Sequence, residues 1–260
     1  MGAGPFCRLL LNAGLSRQSL GEELGDGARL AAGYYYQGLL QHLWGKLDEA
    51  PVLFGQAQAI FAELKNPACL AGCIDGQARV YRDLARLDEA RELHERAALL
   101  YGRVGQQDLL AANSDDLALV QRDLGALVAA RQLSQQALAL WEKMGHQEGL
   151  AVYLGNQAVL LALQNEADAA NAQAARAQAL WQQSGNRLQL AISSWNRGAL
   201  TAKTATADVA QALWQHALDE HRAMGLPTQQ WQRWLSSWTS ADDPQVLLVA
   251  FPFAKHMHIG

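Results

Sequence analysis

Small residues recur along the chain with a period of forty residues, in four ladders that keep the same phase. Between them, apolar side chains return every three or four residues, a spacing that predicts amphipathic helices. A fixed period of about 20 to 50 residues is typical of solenoids. Numbered from the start of the unit, the ladders are Ala31, Ala71, Ala111, Ala151 and Ala191 at position 1; Gly38, Ala78, Ala118, Ala158 and Gly198 at position 8; Ala50, Ala90, Ala130, Ala170 and Ala210 at position 20; and Ala57, Ala97, Ala137, Ala177 and Ala217 at position 27.

The second repeat predicts that each repeat is a helical hairpin. Residues 71–84 carry apolar side chains on one helical stripe, and residues 89–104 do the same. Asp88 is the expected N-cap of the second helix, and Gly105 the expected residue that ends it. By the same period, the turns inside the five hairpins are predicted near Gly45, Ala85, Gly125, Asn165 and Ala205.

The unit resembles the tetratricopeptide repeat (TPR), which has small residues at positions 8, 20 and 27. Ala78, Ala90 and Ala97 match these positions, and Tyr81 matches the aromatic position 11. The unit is forty residues long where the usual TPR has about 34. This length is similar to the long variant in kinesin light chains and in the sensor domains of bacterial regulators. HEAT repeats share the length, but their helix-kinking prolines and Asp/Arg ladder are not evident.

The resemblance implies an all-α, right-handed superhelical solenoid of antiparallel helix pairs. It also implies an organisation along the chain. We expect a partial N-terminal repeat at 1–26, five TPR-like repeats at 27–226, a C-terminal capping helix at 227–240 and a tail at 241–260.

Composition narrows the classes of function. The net charge of −4 gives no indication of nucleic-acid binding, and no apolar run reaches the ~18 residues of a membrane span. Three sparse cysteines favour a reducing compartment, so we expect a cytoplasmic protein. No phosphate-binding loop, metal motif or nucleophile motif is present in the sequence. We therefore expect no enzyme, no cofactor and no metal; the oligomeric state stays open.

In the TPR family, the first helix of each hairpin lines a concave groove, so the resemblance implies a binding surface. Arginines there would meet acidic groups of a ligand, because a planar guanidinium pairs bidentately with a carboxylate. Asparagines at position 6 would hold a peptide backbone, since an amide both donates and accepts. Alternatively, the arginines pair with aspartates of the chain itself. The implied groove residues are Tyr35, Tyr36, Asp75, Arg79, Arg82, Asp115, Asp116, Arg122, Asn156, Trp195 and Asn196.

Two functions fit such a surface. The first is a scaffold that binds a protein or peptide ligand in its groove. The alternative is the ligand-sensing arm of a signalling or transcription-regulatory system, whose effector lies on a missing segment or a separate chain.

Overall fold

Helices make up the described part of the chain, and no strand occurs in it. The structure is a computed structural model, and it describes residues 5–164, 166–204, 207–225, 228, 229 and 232. Eleven helices lie in these ranges: α1 Pro5–Leu24, α2 Gly27–Leu43, α3 Ala50–Glu63, α4 Pro67–Asp83, α5 Leu87–Val104, α6 Gln107–Asp123, α7 Leu127–Met144, α8 Gln147–Leu163, α9 Ala167–Ser184, α10 Arg187–Thr204 and α11 Ala207–Ala223.

The chain divides into two compact units, residues 1–140 and 141–260, with the boundary inside α7. In the first unit, each helix from α1 to α5 packs on the next one, and the first helices of adjacent repeats also touch, α2 with α4 and α4 with α6. In the second unit, α8, α9, α10 and α11 pack in the same consecutive manner, and α8 touches α10. Each unit is therefore an array of helical hairpins with the predicted forty-residue period.

The turns fall where the period places them. Gly45, Gly125 and Ala85 adopt positive φ angles of 72°, 79° and 58° in the turns inside their hairpins. Gly105 ends α5 at φ 73°, in the left-handed region that favours glycine. The predicted turns near residues 165 and 205 lie outside the described residues.

The predicted N-cap of α5 is wrong by two residues. The helix begins at Leu87 with Arg86 as its N-cap residue, so Asp88 lies within the first turn. Its carboxylate is still favourable there, because the N-terminal end of a helix carries partial positive charge. The cap of α4 follows the usual rule instead, since Asn66 Oδ1 accepts from the Cys69 backbone N–H at 3.1 Å.

Helix α1 covers most of the predicted partial repeat, and glycine permits its close approach to α2. A Cβ atom on Gly21 would lie 2.5 Å from the Leu30 backbone nitrogen, and one on Gly33 would lie 2.8 Å from the Gln18 nitrogen. Apart from Thr228, Gln229 and Gln232, the predicted capping helix and tail lie outside the described residues. The predicted domain boundaries therefore stay a prediction.

Side-chain size is matched across each hairpin, between position 8 of the first helix and position 24 of the second. The Phe54 ring in α3 would lie 3.0 Å from a Cβ on Gly38 and 2.7 Å from one on Gly76. The Trp214 indole in α11 would lie 2.6 Å from a Cβ on Gly198. Glycine at position 8 thus accompanies the largest rings, and alanine accompanies smaller side chains. The pairs in sequence order are Gly38 with Phe54, Ala78 with His94, Ala118 with Ser134, Ala158 with Ala174 and Gly198 with Trp214.

A buried histidine in α11 predicts a stability that falls in mild acid. Burial of His221 lowers the pKa of its imidazole from 6.5 to about 4. The unfolded chain binds this proton more readily than the folded chain does. The contribution of the neutral imidazole to folding stability is therefore complete above pH 6.5 and is lost as the pH falls toward 4. Between pH 7.5 and pH 5 we expect a loss of about 2 kcal/mol in the free energy of unfolding. Urea unfolding at both pH values measures it. The His221→Gln variant should lose less over this range; an identical loss would contradict the assignment.

Candidate functional site

The first helices of the repeats in the first unit place their polar positions on one continuous side. Positions 5, 9, 12 and 13 of the second and third repeats, which lie on α4 and α6, carry aspartate or arginine with one exception. Because α4 touches both α2 and α6, side chains from adjacent repeats reach one another. Two groups of contacts result, one around Asp75 and one around Asp123.

The first group, here called the Asp75 network, consists of Asp75, Arg79, His94, Asn113 and Asp116. Arg79 donates from Nη2 to Asp75 and from Nε to Asp116 Oδ2, the latter at 2.9 Å. Asn113 Nδ2 donates to Asp75 Oδ1 at 2.7 Å, and His94 Nδ1 lies 3.0 Å from the same oxygen. All five side chains are buried, Arg79 being exposed by only 3%. The network therefore joins three helices, α4, α5 and α6.

The charged side chains of this network neutralise one another. Burial by itself lowers the pKa of Arg79, but the carboxylates of Asp75 and Asp116 raise it more, so that the net shift is upward. Tyr101 lies nearby in α5, where burial first and the charge of Asp75 second raise the pKa of its phenol. Arg79 therefore stays cationic and satisfies two buried carboxylates at once.

The second group is a row of paired side chains between adjacent repeats, here called the charged row. His42 Nε2 at position 12 of the first repeat lies 2.7 Å from Asp83 Oδ2 at position 13 of the second. Arg82 Nε at position 12 of the second repeat lies 2.7 Å from Asp123 Oδ2 at position 13 of the third.

Arg122, at position 12 of the third repeat, pairs with the aspartate beside it in the chain. Its Nε and Nη2 atoms donate to Asp123 Oδ1 at 2.9 Å and 2.7 Å. Two guanidinium groups, Arg82 and Arg122, thus share one carboxylate; we call these three residues the Asp123 cluster. Burial, opposed by Asp123 and reinforced by Arg82, lowers the pKa of Arg122. Within the cluster, two positive charges face one negative charge.

The two predicted tyrosines differ in their surroundings, although both are half-buried. Tyr35 packs against the apolar clusters around Phe54 and Phe61, with its ring centroid 5.8 Å from that of Phe54. Burial raises the pKa of its phenol. Tyr36 instead carries the Arg17 guanidinium over its ring at 4.6 Å. Tyr36 is therefore the tyrosine that meets polar groups.

The second unit holds the remaining predicted residues. Asn156 and Asn196 at position 6 are half-buried, and the buried Asn196 Oδ1 has no hydrogen-bond partner among the described residues. Trp195 at position 5 is fully buried. Its ring centroid lies 6.0 Å from that of Trp214, whose Nε1 donates to the Trp195 carbonyl at 3.1 Å. Trp195 thus belongs to the contact between α10 and α11.

Of the predicted set, the structure brings together those residues that are charged. Arg79, Arg82 and Arg122 all pair with aspartates of the chain, which was the alternative left open by the sequence. Asp115 is buried beside Asp116 in α6. A role for any of these residues in ligand binding stays a prediction.

Sequence reasoning missed His94 and Asn113, and both gave a signal. His94 lies on the apolar stripe of α5 at position 24, where the other repeats have Phe, Ser, Ala or Trp. Asn113 occupies position 3 of the third repeat, where the second has Cys73. A polar residue on a buried stripe requires a buried partner, because an unpaired polar group is costly there.

Within the described residues, no group of three or more His, Cys, Asp or Glu side chains could hold a metal ion. Within the same ranges, no helix combines the length and the apolar character that crossing a membrane requires.

No family model matches the chain, and no curated protein matches it. Several solved structures are similar to it. BtubC (BKLC) from P. vanneervenii is 21% identical, with a TM-score of 0.59 over 84% of this chain and 91% of that one. The apo form of RapI is 16% identical, with a TM-score of 0.60 over 79% of this chain and 73% of that one.

A third similar structure is longer than this chain. Aspartyl phosphate phosphatase F from Bacillus subtilis is 12% identical, with a TM-score of 0.62 over 76% of this chain. This chain spans 51% of that one, about half its length. All three neighbours are TPR-like repeat proteins. The predicted class is therefore confirmed: the chain has an all-α, TPR-like repeat fold.

Proposed function

We propose that the chain is a protein-interaction scaffold that binds a peptide segment of a partner along the first helices of its repeats. The observation that carries this proposal is the charged row. Its side chains come from three successive first helices and link them at 2.7 Å, so that polar groups follow one another from repeat to repeat. An extended peptide presents its groups at a regular spacing, and stacked repeats offer matching positions along an elongated surface.

Two side chains outside the row, one in each compact unit, support the proposal. Asn196 Oδ1 is a buried acceptor without a hydrogen-bond partner among the described residues, and a peptide N–H would satisfy it. Tyr36 is half-buried, with an arginine over its ring. Amphipathic aromatic side chains of this kind are enriched where proteins bind one another.

The alternative function, a ligand-sensing arm of a larger regulator, stays a prediction. The similarity to about half of aspartyl phosphate phosphatase F agrees with it. At 12% identity, however, that similarity shows the fold alone. The scaffold proposal is preferred because it needs only the surface that the described residues present.

The test is selection of binders from a random dodecapeptide library displayed on phage, using the full chain as bait. Selected peptides are synthesised and their affinities measured by fluorescence anisotropy. We expect Tyr36→Ala to weaken peptides that bind the first unit and Asn196→Ala to weaken peptides that bind the second unit, each about 3- to 10-fold, the worth of one ordinary hydrogen bond or contact. The matched controls are Arg96→Ala and Gln136→Ala, exposed side chains on the second helices α5 and α7; these should bind unchanged.

Circular dichroism and melting curves of every variant separate lost binding from lost folding. Two results would overturn the proposal. Either no peptide is enriched over a bait-free selection, or the selected peptides lose affinity for the controls and keep it for the two first-helix variants. The second result would move the binding surface to the second helices.

A further inference from the structure

One first-helix position of the second unit lacks the side chain that other repeats bury there. Position 5 holds Asp75, Asp115 and Trp195 in the second, third and fifth repeats, each exposed by no more than 1%. The fourth repeat has Gly155 at this position, on α8. The place that shields a side chain from water in three repeats therefore receives none from the fourth.

The neighbouring side chains do not fill this space. Among the described residues, a Cβ on Gly155 would have no heavy atom within 4 Å, the backbone of its own helix set aside. In the second repeat, Arg79 at position 9 and His94 at position 24 both reach the side chain at position 5. The fourth repeat has the shorter Val159 and Ala174 at these positions. A gap thus remains where α8 faces α9, here called the Gly155 gap.

The surroundings of the Gly155 gap are apolar. Val159 and Ala174 are each exposed by 4%, whereas Gly155 itself is half-buried, so that the gap opens to solvent on its side. In the sequence, positions 2, 3, 5, 6 and 9 of the fourth and fifth repeats carry no charged side chain. A charged group would therefore be buried there without a partner of opposite charge, at high cost. The gap suits an uncharged, apolar group.

A hydrogen-bond acceptor accompanies the gap. In the first unit, position 9 of one repeat contacts position 6 of the next, as Arg79 does with Asp116. The corresponding residues of the second unit are Val159 and Asn196. Asn196 Oδ1 is buried and has no hydrogen-bond partner among the described residues, which costs free energy until a donor satisfies it. The gap and this acceptor are independent observations, and both indicate a place for a ligand group.

We propose that the Gly155 gap binds one aliphatic side chain of a peptide ligand, while Asn196 Oδ1 accepts from a peptide N–H beside it. The proposal rests on the scaffold function above and names the side chain that the second unit selects. An aliphatic group is favoured because apolar surface leaves water on binding. Leucine has the right shape, since the second repeat buries an aspartate of the same branching at this position.

The gap can be tested without a ligand. Gly155→Leu places a side chain in a shielded space that holds no other heavy atom, so it should bury apolar surface without a clash. The matched control is Gly55→Leu, an exposed position of α3 where a Cβ also meets nothing within 4 Å. Both variants gain helix propensity, but we expect Gly155→Leu to melt about 3–6 °C higher than the control. Equal melting temperatures would overturn the proposal.

Small probes test the chemistry of the gap. Protein labelled with ¹⁵N-asparagine is titrated with N-acetyl-leucine methylamide, and the side-chain amide resonance of Asn196 is followed by NMR. We expect a saturable shift of Asn196, none of Asn66 at the N-cap of α4, and none with the lysine or aspartate analogue of the probe. The shift should vanish in Gly155→Leu and persist in Gly55→Leu. The proposal is wrong if the leucine probe gives no saturable shift, if Gly155→Leu retains it, or if a charged analogue binds as tightly.

A peptide comparison connects the gap to the scaffold function. In those selected peptides that Asn196→Ala weakens, each apolar residue is replaced in turn by alanine. We expect one replacement to weaken binding to the wild type about tenfold and to have no effect on binding to Gly155→Leu. If such peptides bind but no replacement shows this coupling, the gap is not their binding site and the scaffold function stands. If no peptide is enriched, the scaffold function fails, and with it the peptide as the ligand, whatever the melting and probe experiments show for the gap.

Discussion

The Arg79→Leu variant should lose about 3–5 kcal/mol of unfolding free energy. Removal of this guanidinium leaves Asp75 and Asp116 buried without their cation, so each has to stay charged at high cost or take up a proton. The loss is large because the network joins three helices. Chemical denaturation of wild type and variant at the same pH measures it.

The matched control is Arg103→Leu, which removes an exposed arginine from α5 and should leave the denaturation midpoint unchanged. A second comparison adds Asp75→Asn and Asp116→Asn to Arg79→Leu. We expect this triple variant to recover part of the loss, because breaking a buried pair costs more than the pair itself contributes. Equal midpoints for Arg79→Leu and the wild type would show that the Asp75 network does not form.

The second large effect is expected for Trp214→Ala, at about 3–5 kcal/mol of unfolding free energy. The indole is fully buried in the second unit, where it contacts Trp195 and fills the space that Gly198 leaves. Its removal opens a cavity and deprives the Trp195 carbonyl of its hydrogen bond from Nε1. Urea denaturation followed by circular dichroism gives the value.

A companion variant tests the same contact from the opposite side. A Cβ on Gly198 would lie 2.6 Å from the indole, so Gly198→Ala should cost about 1–3 kcal/mol through overpacking. Gly102→Ala, in the exposed part of α5, meets nothing within 4 Å and should stabilise by about 0.5–1 kcal/mol. If both glycine variants changed stability by the same amount and sign, Gly198 would not be the partner of Trp214.

The repeat architecture could be predicted from sequence because it depends on local, repeated features. Small residues such as Ala97 recur at fixed positions, and glycines such as Gly105 end the helices, so that period and turns follow without any knowledge of distant contacts. The start of α5 does not follow from the sequence in the same way, because Asp88 is as favourable inside a first turn as at the cap.

The candidate site was predictable only in part, for a physical reason. The sequence showed which side chains occupy the first helices, and it left open whether Arg79, Arg82 and Arg122 face a ligand or pair internally. That choice depends on distances between helices forty residues apart, which no local pattern contains. The sequence also did not show that His94 lies against Asp75. The two residues lie on different helices, and His94 Nδ1 comes within 3.0 Å of Asp75 Oδ1 only through packing.

The sequence by itself thus determined the all-α repeat class and its forty-residue period, because both depend on local, repeated patterns. Only the tertiary structure decided how charge is distributed. Arg79 is neutralised by two aspartates, whereas Arg82 and Arg122 share one, although all three look alike in sequence. The difference arises because an ion pair forms between residues that packing brings together, and packing pairs position 12 of one repeat with position 13 of the next.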